Sequence, residues 1–306
     1  MPGGFHGIIT PLITALNPDT GSPDLESLRR LVEFQIEGGV HGFWAMGTTA
    51  EFAAFDEDER AGSIAAVVRQ SNGRLPVIAN ISDCSTRLAI RHGRRAADAG
   101  AQAVAATPPY YFPHTQDELL AHYAQIRAAI ELPLFLYNIP QTVRVKIELQ
   151  TAKTLLSQGL IAGIKDSQND LEWIRQLALF VRDTGSQFCI MAGTRHLIDA
   201  AVLAGADGAI PSIANAFPDL AVRVYIAAVH GDYTLAAELQ NTIVKIESLY
   251  DCIAPGSRNA AVIGALKAVL QRRGIISSGC TSAPLRPVTS QNVEELFSGL
   301  AALDPA

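Results

Sequence analysis

The chain alternates between short apolar runs and longer amphipathic segments, and this alternation constrains its fold more than any other feature. The runs suited to strands are residues 7–10, 40–45, 75–80, 103–106, 133–137, 161–165, 188–192 and 208–210. Segments with helical periodicity lie between them, including residues 24–37, 56–70, 86–98, 116–130 and 171–181. A spacing of about 25 to 35 residues is typical of repeated βα units. Eight such units predict an α/β fold, a TIM (β/α)8 barrel of about 250 residues.

The chain carries more helix after the eighth run than an eighth βα unit needs. These helical segments are residues 219–230, 233–250, 258–273 and 292–300. We predict a barrel over residues 1–230 and a C-terminal helical extension over residues 231–306, packed on the barrel because no linker-like stretch separates them. A doubly wound sheet is the competing fold, but no GxGxxG turn follows the first strand.

Composition excludes several classes of function. The 306 residues are 48% hydrophobic and carry a net charge of −6, with the basic residues spread along the chain. No basic run suits nucleic acid or anionic lipid, and no stretch reaches the roughly 20 apolar residues of a membrane span. The four cysteines lack a CxxC pattern and fit reduced thiols. We therefore expect a cytoplasmic protein with neither a nucleic-acid nor a membrane partner.

Lys165 ends the apolar run Gly159 to Ile164, so its ammonium carries a desolvation cost that a surface lysine avoids. Desolvation lowers the pKa of a lysine and yields a neutral amine that can attack a ketone and form a Schiff base. Asp166 alternates to the opposite face of the strand, so it need not neutralise the amine. The alternative is a strand-end lysine paired with a carboxylate.

Residues at the carboxyl ends of barrel strands share one face, and the unusual residues of this chain collect there. The candidate substrate-binding or catalytic residues at these strand ends are Thr48, Thr49, Tyr110, Tyr137, Lys165, Gly193, Arg195 and Ser212. A Gly-Thr-Thr turn can direct N–H groups and hydroxyls at a carboxylate, although it can also be a helix cap. Tyr137 can relay protons or simply line the barrel.

The sequence predicts no metal site. The seven histidines are scattered without HExxH spacing, which argues against zinc. The four consecutive acids at residues 56–59 suit a helix N-terminus better than a metal cluster.

Four motifs carry a resemblance to a known family. They are Gly47-Thr48-Thr49-Ala50-Glu51, Thr107-Pro108-Pro109-Tyr110-Tyr111, Tyr137-Asn138-Ile139-Pro140 and Gly163-Ile164-Lys165-Asp166. In this order, each in the corresponding βα unit, they resemble the signatures of the dihydrodipicolinate synthase / N-acetylneuraminate lyase family. The resemblance covers essentially the whole chain.

The resemblance implies a class I aldolase that acts on pyruvate and an aldehyde. Lys165 would form the Schiff base with pyruvate, and Tyr137 would shuttle protons. Thr48 and Thr49 would hold the carboxylate. Tyr110 would cross a dimer interface and complete a relay with Thr48 and Tyr137 of the neighbouring subunit. The family resemblance also implies a homotetramer built as a dimer of dimers, with no metal or organic cofactor apart from the covalent lysine Schiff base.

Two departures from the family pattern bear on the substrate. The segment Tyr137 to Val143 is similar to the Tyr-Asn-Val-Pro-Gly-Arg-Thr pattern of lysine-pathway synthases, but Thr142 stands in place of the arginine. Threonine cannot supply the bidentate fork of an arginine, which argues against dihydrodipicolinate synthesis. In the pattern of sialic-acid lyases, an Asp-Glu pair follows the glycine that ends the seventh strand. Here Gly193 is followed by Thr194, Arg195 and His196, which counts against a sialic-acid substrate.

The remaining members that the chain resembles are aldolases of 2-keto-3-deoxy sugar acids and of 4-hydroxy-2-oxoglutarate. Arg195, with His196, would then bind a second carboxylate or distal hydroxyls, the alternative being a solvated pair at a helix start. The other functions that stay open are a dehydratase of a keto-deoxy sugar acid, 4-hydroxy-tetrahydrodipicolinate synthase, and a catalytically silent 2-oxo acid binder.

Overall fold

A computed structural model of the chain describes residues 4–250 and 256–303. Its strands form one closed barrel in chain order, and every neighbouring pair is parallel. The strands are Gly7–Pro11 (β1), Gly42–Ala45 (β2), Val77–Asn80 (β3), Ala103–Ala106 (β4), Leu134–Asn138 (β5), Gly163–Asp166 (β6), Cys189–Ala192 (β7) and Gly208–Ala209 (β8). This topology confirms the predicted TIM barrel.

The helices surround the barrel and extend beyond it. They are Leu25–Glu37 (α1), Glu57–Ser71 (α2), Thr86–Asp98 (α3), Gln116–Ala129 (α4), Pro140–Val143 (α5), Leu149–Ser157 (α6), Leu171–Thr184 (α7), Ile198–Leu203 (α8), Pro218–Val229 (α9), Tyr233–Leu249 (α10), Arg258–Arg272 (α11) and Ser290–Leu303 (α12). Short 3₁₀ turns at Thr48–Ala50, Phe52–Ala54 and Ser212–Asn215 follow β2 and β8. Each helix or strand predicted from the sequence lies within three residues of its observed bounds.

Capping residues fix where two of these helices begin. Asp56 and Glu59 form a capping box at the start of α2, and Thr115 and Glu118 form one at the start of α4. The side chain of each first residue accepts a hydrogen bond from an N–H that the helix leaves unpaired. The acidic run at residues 56–59 is therefore a helix N-terminus, as predicted.

Alternation along each strand divides the buried side chains into two cores. On β5, Leu136 packs outward in the core between strands and helices, whereas Tyr137 belongs to the cluster inside the barrel. On β6, Ile164 packs outward, so Lys165 faces the interior and Asp166 faces outward again. The two-residue period of a strand thus places the lysine inside the barrel.

The barrel closes where β8 meets β1, and glycine makes that closure possible. Gly208 pairs with Gly7, and a Cβ atom on Gly208 would lie 2.0 Å from the Gly7 carbonyl oxygen. Gly7 itself has a φ of +70°, a conformation that residues with a side chain rarely adopt. Any larger residue at position 208 would force these two strands apart.

The segment predicted as a C-terminal extension contains α10, α11 and α12. Helix α10 packs against α8 and α9, and α11 contacts the 3₁₀ turn that follows β8. The division at residue 230 stays a prediction. No helix within residues 4–250 and 256–303 is both long and apolar enough to cross a membrane. Cys84, Cys189 and Cys280 are free thiols, and Cys252 lies outside the described residues.

A buried ion pair ties the loop after β2 to the C-terminal segment. Lys267 on α11 is fully buried, and its Nζ lies 2.5 Å from Glu51 Oε1 and 2.8 Å from the Cys280 carbonyl oxygen. Glu51 Oε2 accepts hydrogen bonds from Ser282 N and Oγ, at 2.6 and 2.7 Å. Both carboxylate oxygens and two of the three ammonium N–H groups are therefore used, which helps to offset the cost of burying the two charges.

We expect Lys267→Met to destabilise the fold by about 3–5 kcal/mol, because it leaves the Glu51 carboxylate buried without its cation. Urea denaturation followed by circular dichroism measures this loss. The double variant Lys267→Met/Glu51→Gln should lose less, since neither charge then remains. Lys245→Met, the same change at an exposed position of α10, is the control. Equal denaturation midpoints for Lys267→Met and Lys245→Met would contradict the role given to the pair.

Candidate active site

Lys165 lies at the carboxyl end of β6, inside the mouth of the barrel, with 4% of its surface exposed. The β5–β6 register places Tyr137 beside it. The Lys165 Nζ lies 4.4 Å from the ring centroid of Tyr137 and 4.9 Å from that of Trp44. Within the described part of the chain, no carboxylate forms an ion pair with Lys165. The alternative interpretation, a strand-end lysine paired with an acid, does not describe this structure.

Burial lowers the pKa of Lys165 to about 7, because a dry environment disfavours the ammonium. Burial lowers the pKa of Lys267 as well, but the neighbouring Glu51 carboxylate acts in the opposite direction on that pKa. Asp166 faces away from the amine, and its Oδ1 accepts hydrogen bonds from Asn138 Nδ2 and Gln168 Nε2 at 2.8 and 2.6 Å. Near neutral pH, a large fraction of the protein molecules therefore carries Lys165 as a neutral, nucleophilic amine.

Tyr137 and Thr48 form a hydrogen-bonded pair next to the amine. The Tyr137 hydroxyl lies 3.1 Å from Thr48 Oγ1. Burial raises the pKa of Tyr137 to about 12, while hydrogen bonds with Thr48 and Ser167 act in the opposite direction. The phenol is thus protonated at neutral pH and already placed in a chain of hydroxyls, an arrangement that can move a proton.

The 3₁₀ turn after β2 supplies polar groups to the same space. Gly47 precedes Thr48–Ala50, and the first N–H groups of such a turn have no partner within it. Thr48 and Thr49 both line the cavity in front of Lys165. Ser212 Oγ is buried there without a hydrogen-bond partner among the described residues. These N–H and hydroxyl groups can receive a carboxylate.

The cavity in front of Lys165 has a volume of about 150 Å³. Seven of the eight candidate residues predicted from the sequence line it: Thr48, Thr49, Tyr137, Lys165, Gly193, Arg195 and Ser212. A Cβ atom at Gly193 would lie 1.9 Å from Ser167 Oγ, so any larger residue there would displace the Ser167 side chain. The structure thus brings together residues from five different strand ends.

Tyr110, the eighth candidate, lies outside this cavity and lines a larger one that adjoins it. Its ring is half-buried, 6.4 Å from that of Phe52, and burial raises the pKa of Tyr110 to about 12. The next residue, Tyr111, is 87% exposed and has a φ of 89°. A bulky residue held at positive φ is strained, and such strain clusters at functional positions. Tyr111 is therefore a further candidate beside Tyr110, which the sequence alone did not single out because two adjacent tyrosines look equivalent in a motif.

Arg195 is held by a buried acid on the C-terminal segment. Its guanidinium forms an ion pair with Glu247 on α10, a side chain with no exposed surface. Burial raises the pKa of Glu247 to about 7, with Arg195 acting in the opposite direction. His196 lines neither cavity, and burial lowers its pKa. Arg195 is therefore neither a solvated surface group nor an unpaired cation.

Helix α11 closes the cavity from above, which the sequence did not indicate. Asn259, Val262 and Ile263 line it, although they lie about 100 residues beyond Lys165 in the chain. Only the packing of α11 on the barrel mouth brings them there. The residues that the structure describes contain no group of three or more His, Cys, Asp or Glu side chains able to hold a metal ion. The absence of a cofactor stays a prediction.

Comparison with known proteins adds to this geometry. Residues 4–303 match the Dihydrodipicolinate synthetase family. An uncharacterized DapA-like lyase of Halobacterium salinarum is 30% identical over 302 residues, covering 99% of this chain and 95% of that protein. A 4-hydroxy-tetrahydrodipicolinate synthase of Xanthomonas campestris is 36% identical over 272 residues, covering 89% and 86%. The crystal structure of YagE, a prophage protein of the dihydrodipicolinic acid synthase family from E. coli K12 in complex with pyruvate, matches with a TM-score of 0.91, 25% identity and 99% coverage of both chains.

The low pKa of Lys165 predicts how Lys165→Met changes stability with pH. Between about pH 7 and pH 10.5 the unfolded chain binds a proton at this lysine that the folded chain does not, so wild-type stability rises with pH there. Lys165→Met removes this cost, and we expect it to raise the melting temperature most at pH 7 and below.

The gain should shrink as the pH approaches 10.5, the ordinary pKa of lysine. Scanning calorimetry from pH 6 to about 10.5 measures it. Lys146→Met, at an exposed position, is the control and should show no such trend. A gain that stays constant with pH would contradict the depressed pKa.

Proposed function

The chain belongs to the dihydrodipicolinate synthetase family, whose members are lyases, and from this membership and the geometry at Lys165 we propose an aldolase that works through a Schiff base with pyruvate. The observation that supports it best is a buried lysine without an acidic partner among the described residues, whose pKa lies near 7, next to a hydroxyl pair. Lysine nucleophiles are activated by this kind of desolvation. YagE, a solved member of the same family, is described in complex with pyruvate.

In the proposed cleavage, the Lys165 amine adds to the C2 keto carbon of a 4-hydroxy-2-oxo acid and water leaves, giving an iminium ion. Tyr137, linked to Thr48, gives its proton to the departing C2 oxygen and, now a phenolate, takes the proton of the C4 hydroxyl. The C3–C4 bond then breaks, its electrons enter an enamine, and an aldehyde departs. Protonation of C3 and addition of water release pyruvate and restore the amine. Condensation follows the same steps in reverse.

Binding of the substrate carboxylate is the proposed role of the turn after β2. Thr48, Thr49 and Ser212 line the cavity that Lys165 occupies, and their N–H and hydroxyl groups are the proposed donors to the carboxylate. Gly193 leaves room for Ser167, which hydrogen-bonds Tyr137. Holding the carboxylate on these groups would present the keto carbon to the amine.

For the substrate we propose a 4-hydroxy-2-oxo acid or a 2-keto-3-deoxy sugar acid. Thr142 lines the cavity at the position where the synthase pattern has an arginine, and a threonine cannot supply a bidentate contact to the carboxylate of a second substrate, which disfavours 4-hydroxy-tetrahydrodipicolinate synthesis. That synthase stays the second candidate, because relatives such as the Xanthomonas protein carry its name. A dehydratase would use the same Schiff base and differ only in which C–C or C–O bond breaks.

We propose that the protein needs no cofactor beyond the Lys165 Schiff base and that it works in the cytoplasm as a homotetramer, a dimer of dimers. Tyr111 is the better candidate than Tyr110 for a residue that crosses the interface. Tyr111 projects from its own subunit, whereas Tyr110 is half-buried against Phe52. The proposed relay then consists of Thr48 and Tyr137 of one subunit and Tyr111 of its partner.

Incubation with pyruvate and borohydride should leave one N-(1-carboxyethyl) group on Lys165, found by mass spectrometry of the digested protein. Reduction traps the imine that a neutral amine forms with the ketone. Lys267, which is buried but paired with Glu51, should stay unmodified and serves as the internal control. Lys165→Met should abolish the adduct. An adduct absent from Lys165 would refute the proposed function.

A panel of substrates separates the candidate activities. Pyruvate release from 4-hydroxy-2-oxo acids supports the aldolase, and activity seen only in condensation with aspartate semialdehyde supports the synthase.

Tyr111→Phe should lower kcat by roughly 10²-fold, the usual effect of losing a proton-transfer group. Tyr110→Phe, the matched change one residue earlier, should have a smaller effect. Mixing subunits that carry Tyr111→Phe with subunits that carry Lys165→Met should restore activity, because some sites then combine an intact lysine with a partner's intact tyrosine. Failure of the mixture to regain activity would contradict a relay across the interface.

A further inference from the structure

Helix α10 holds the loop after β7 at two points. Gln240 Nε2 donates a hydrogen bond to the Arg195 carbonyl oxygen at 2.9 Å, and the Ile198 N–H donates one to Gln240 Oε1 at 2.9 Å. Glu247 lies seven residues further along α10, on the same face of the helix, and forms the ion pair with Arg195. The position of Arg195 therefore depends on a helix whose residues do not line the cavity at Lys165.

The ion pair balances the charge of Arg195 without using all of its donors. It joins Arg195 Nε to Glu247 Oε2. Nε carries one of the five N–H donors of a guanidinium, and the other four belong to the outer nitrogens. Arg195 lines the cavity and keeps 24% of its side chain exposed, whereas Glu247 has no exposed surface. Arg195 can therefore donate hydrogen bonds in the cavity although a buried carboxylate already balances its charge.

The carboxylate site proposed above determines how a substrate lies in this cavity. In the closed barrel, β2 is four strands from β6 in either direction, whereas β7 is the neighbour of β6. A substrate joined to Lys165 therefore directs its carboxylate across the barrel mouth, toward Thr48 and Thr49. The group that its C4 carbon carries lies at the other end of the substrate, on the side of Arg195.

The rest of the polar lining of this cavity is uncharged. Among the described residues that line it, Lys165 and Arg195 are the two that can carry a positive charge, and Lys165 is joined to the substrate. The uncharged polar residues are Thr48, Thr49, Tyr137, Gln141, Thr142, Ser167, Ser212 and Asn259. Hydroxyl and amide groups of this kind exchange hydrogen bonds with substrate hydroxyls. A second carboxylate would find Arg195 already paired with Glu247, whose charge repels it.

Building on the aldolase function proposed above, we propose that Glu247 determines substrate specificity by balancing the charge of Arg195, so that the site accepts a hydroxylated carbon on C4 and discriminates against a carboxylate there. Glu247 acts through Arg195 and touches no substrate atom, which makes it a positioning residue. The preferred substrate is then an acid such as 4,5-dihydroxy-2-oxopentanoate. Its cleavage between C3 and C4, by the steps given above, yields glycolaldehyde and pyruvate.

Two substrates test this proposal, with pyruvate release measured for each: 4,5-dihydroxy-2-oxopentanoate and 4-hydroxy-2-oxoglutarate. They differ only in carrying a hydroxymethyl group or a carboxylate on C4. At pH 8 we expect kcat/KM of the wild-type protein for the dihydroxy acid to exceed the value for the dicarboxylate by at least about 10-fold, because placing like charges together costs at least this much. A dicarboxylate used as well as the dihydroxy acid would overturn the proposal.

Glu247→Gln keeps the size of the side chain and removes its charge, so Arg195 then offers an unbalanced charge to the substrate. The ratio of kcat/KM for the dicarboxylate to that for the dihydroxy acid should rise by at least about 10-fold. A loss of folded protein would lower both values together and leave this ratio as it is. Glu238→Gln, the same change at an exposed position of α10, is the control. An unchanged ratio in folded Glu247→Gln would refute the role of Glu247.

Arg195→Met shows whether Glu247 acts through Arg195. When Arg195→Met is already present, adding Glu247→Gln should leave the ratio unchanged, because no arginine remains for the acid to balance. A rise in the ratio as large as the one that Glu247→Gln causes alone would contradict the proposal.

The pH dependence of the ratio gives a measurement on the wild-type protein. The pKa of Glu247 is about 7, so a change from pH 8 to pH 6 protonates this acid, and the ratio should rise toward the value of Glu247→Gln. Lys165 titrates in the same range, but it reacts with both substrates and cancels in the ratio. The charged and titratable groups around the ion pair are His196, Tyr250 and Arg258. An equal rise in Glu247→Gln would belong to one of these groups and would contradict the proposal.

Borohydride trapping separates the failure of this proposal from the failure of the aldolase function. If pyruvate leaves no adduct on Lys165, or if neither acid releases pyruvate, the aldolase function fails and the role of Glu247 fails with it. If the adduct forms and both acids are cleaved in a ratio that Glu247→Gln does not change, only the role of Glu247 is refuted.

Discussion

The chemistry of the site depends on the burial of the Lys165 amine away from water. Lys165 ends a strand inside the barrel, faces two aromatic rings, and finds no carboxylate partner within the described residues. Its pKa falls because burial removes water from around the ammonium and so disfavours the charged form. The strand period sends Asp166 to the other face, so the residue next in sequence does not cancel this effect.

Two other buried cations near the barrel mouth are paired with acids. Lys267 is held by Glu51, and Arg195 by Glu247, each pair joining a loop of the barrel to a C-terminal helix. Glu51 and Glu247 are therefore paired with Lys267 and Arg195 and not with Lys165. The same contacts that fasten α10 and α11 to the barrel therefore leave Lys165 without an acidic partner among the described residues.

Much of the fold could be predicted because it follows from local patterns. The alternation of apolar runs with amphipathic segments, together with capping residues, predicted the bounds of strands and helices to within three residues. The rule that strand ends share one face predicted that Thr48, Tyr137 and Lys165 lie together. Three features could not be predicted, because they arise from packing between distant segments. These are the closure of the cavity by α11, the Arg195–Glu247 pair and the burial of Tyr110 in place of Tyr111.

The central claim is that the folded protein holds Lys165 largely uncharged near neutral pH. Carbon NMR of protein with ¹³C at the lysine Cε, titrated beside Lys165→Met to assign the signal, measures this directly. The account predicts a midpoint at about pH 7 for the signal that the variant lacks. A midpoint at about 10.5, the ordinary value, would contradict it.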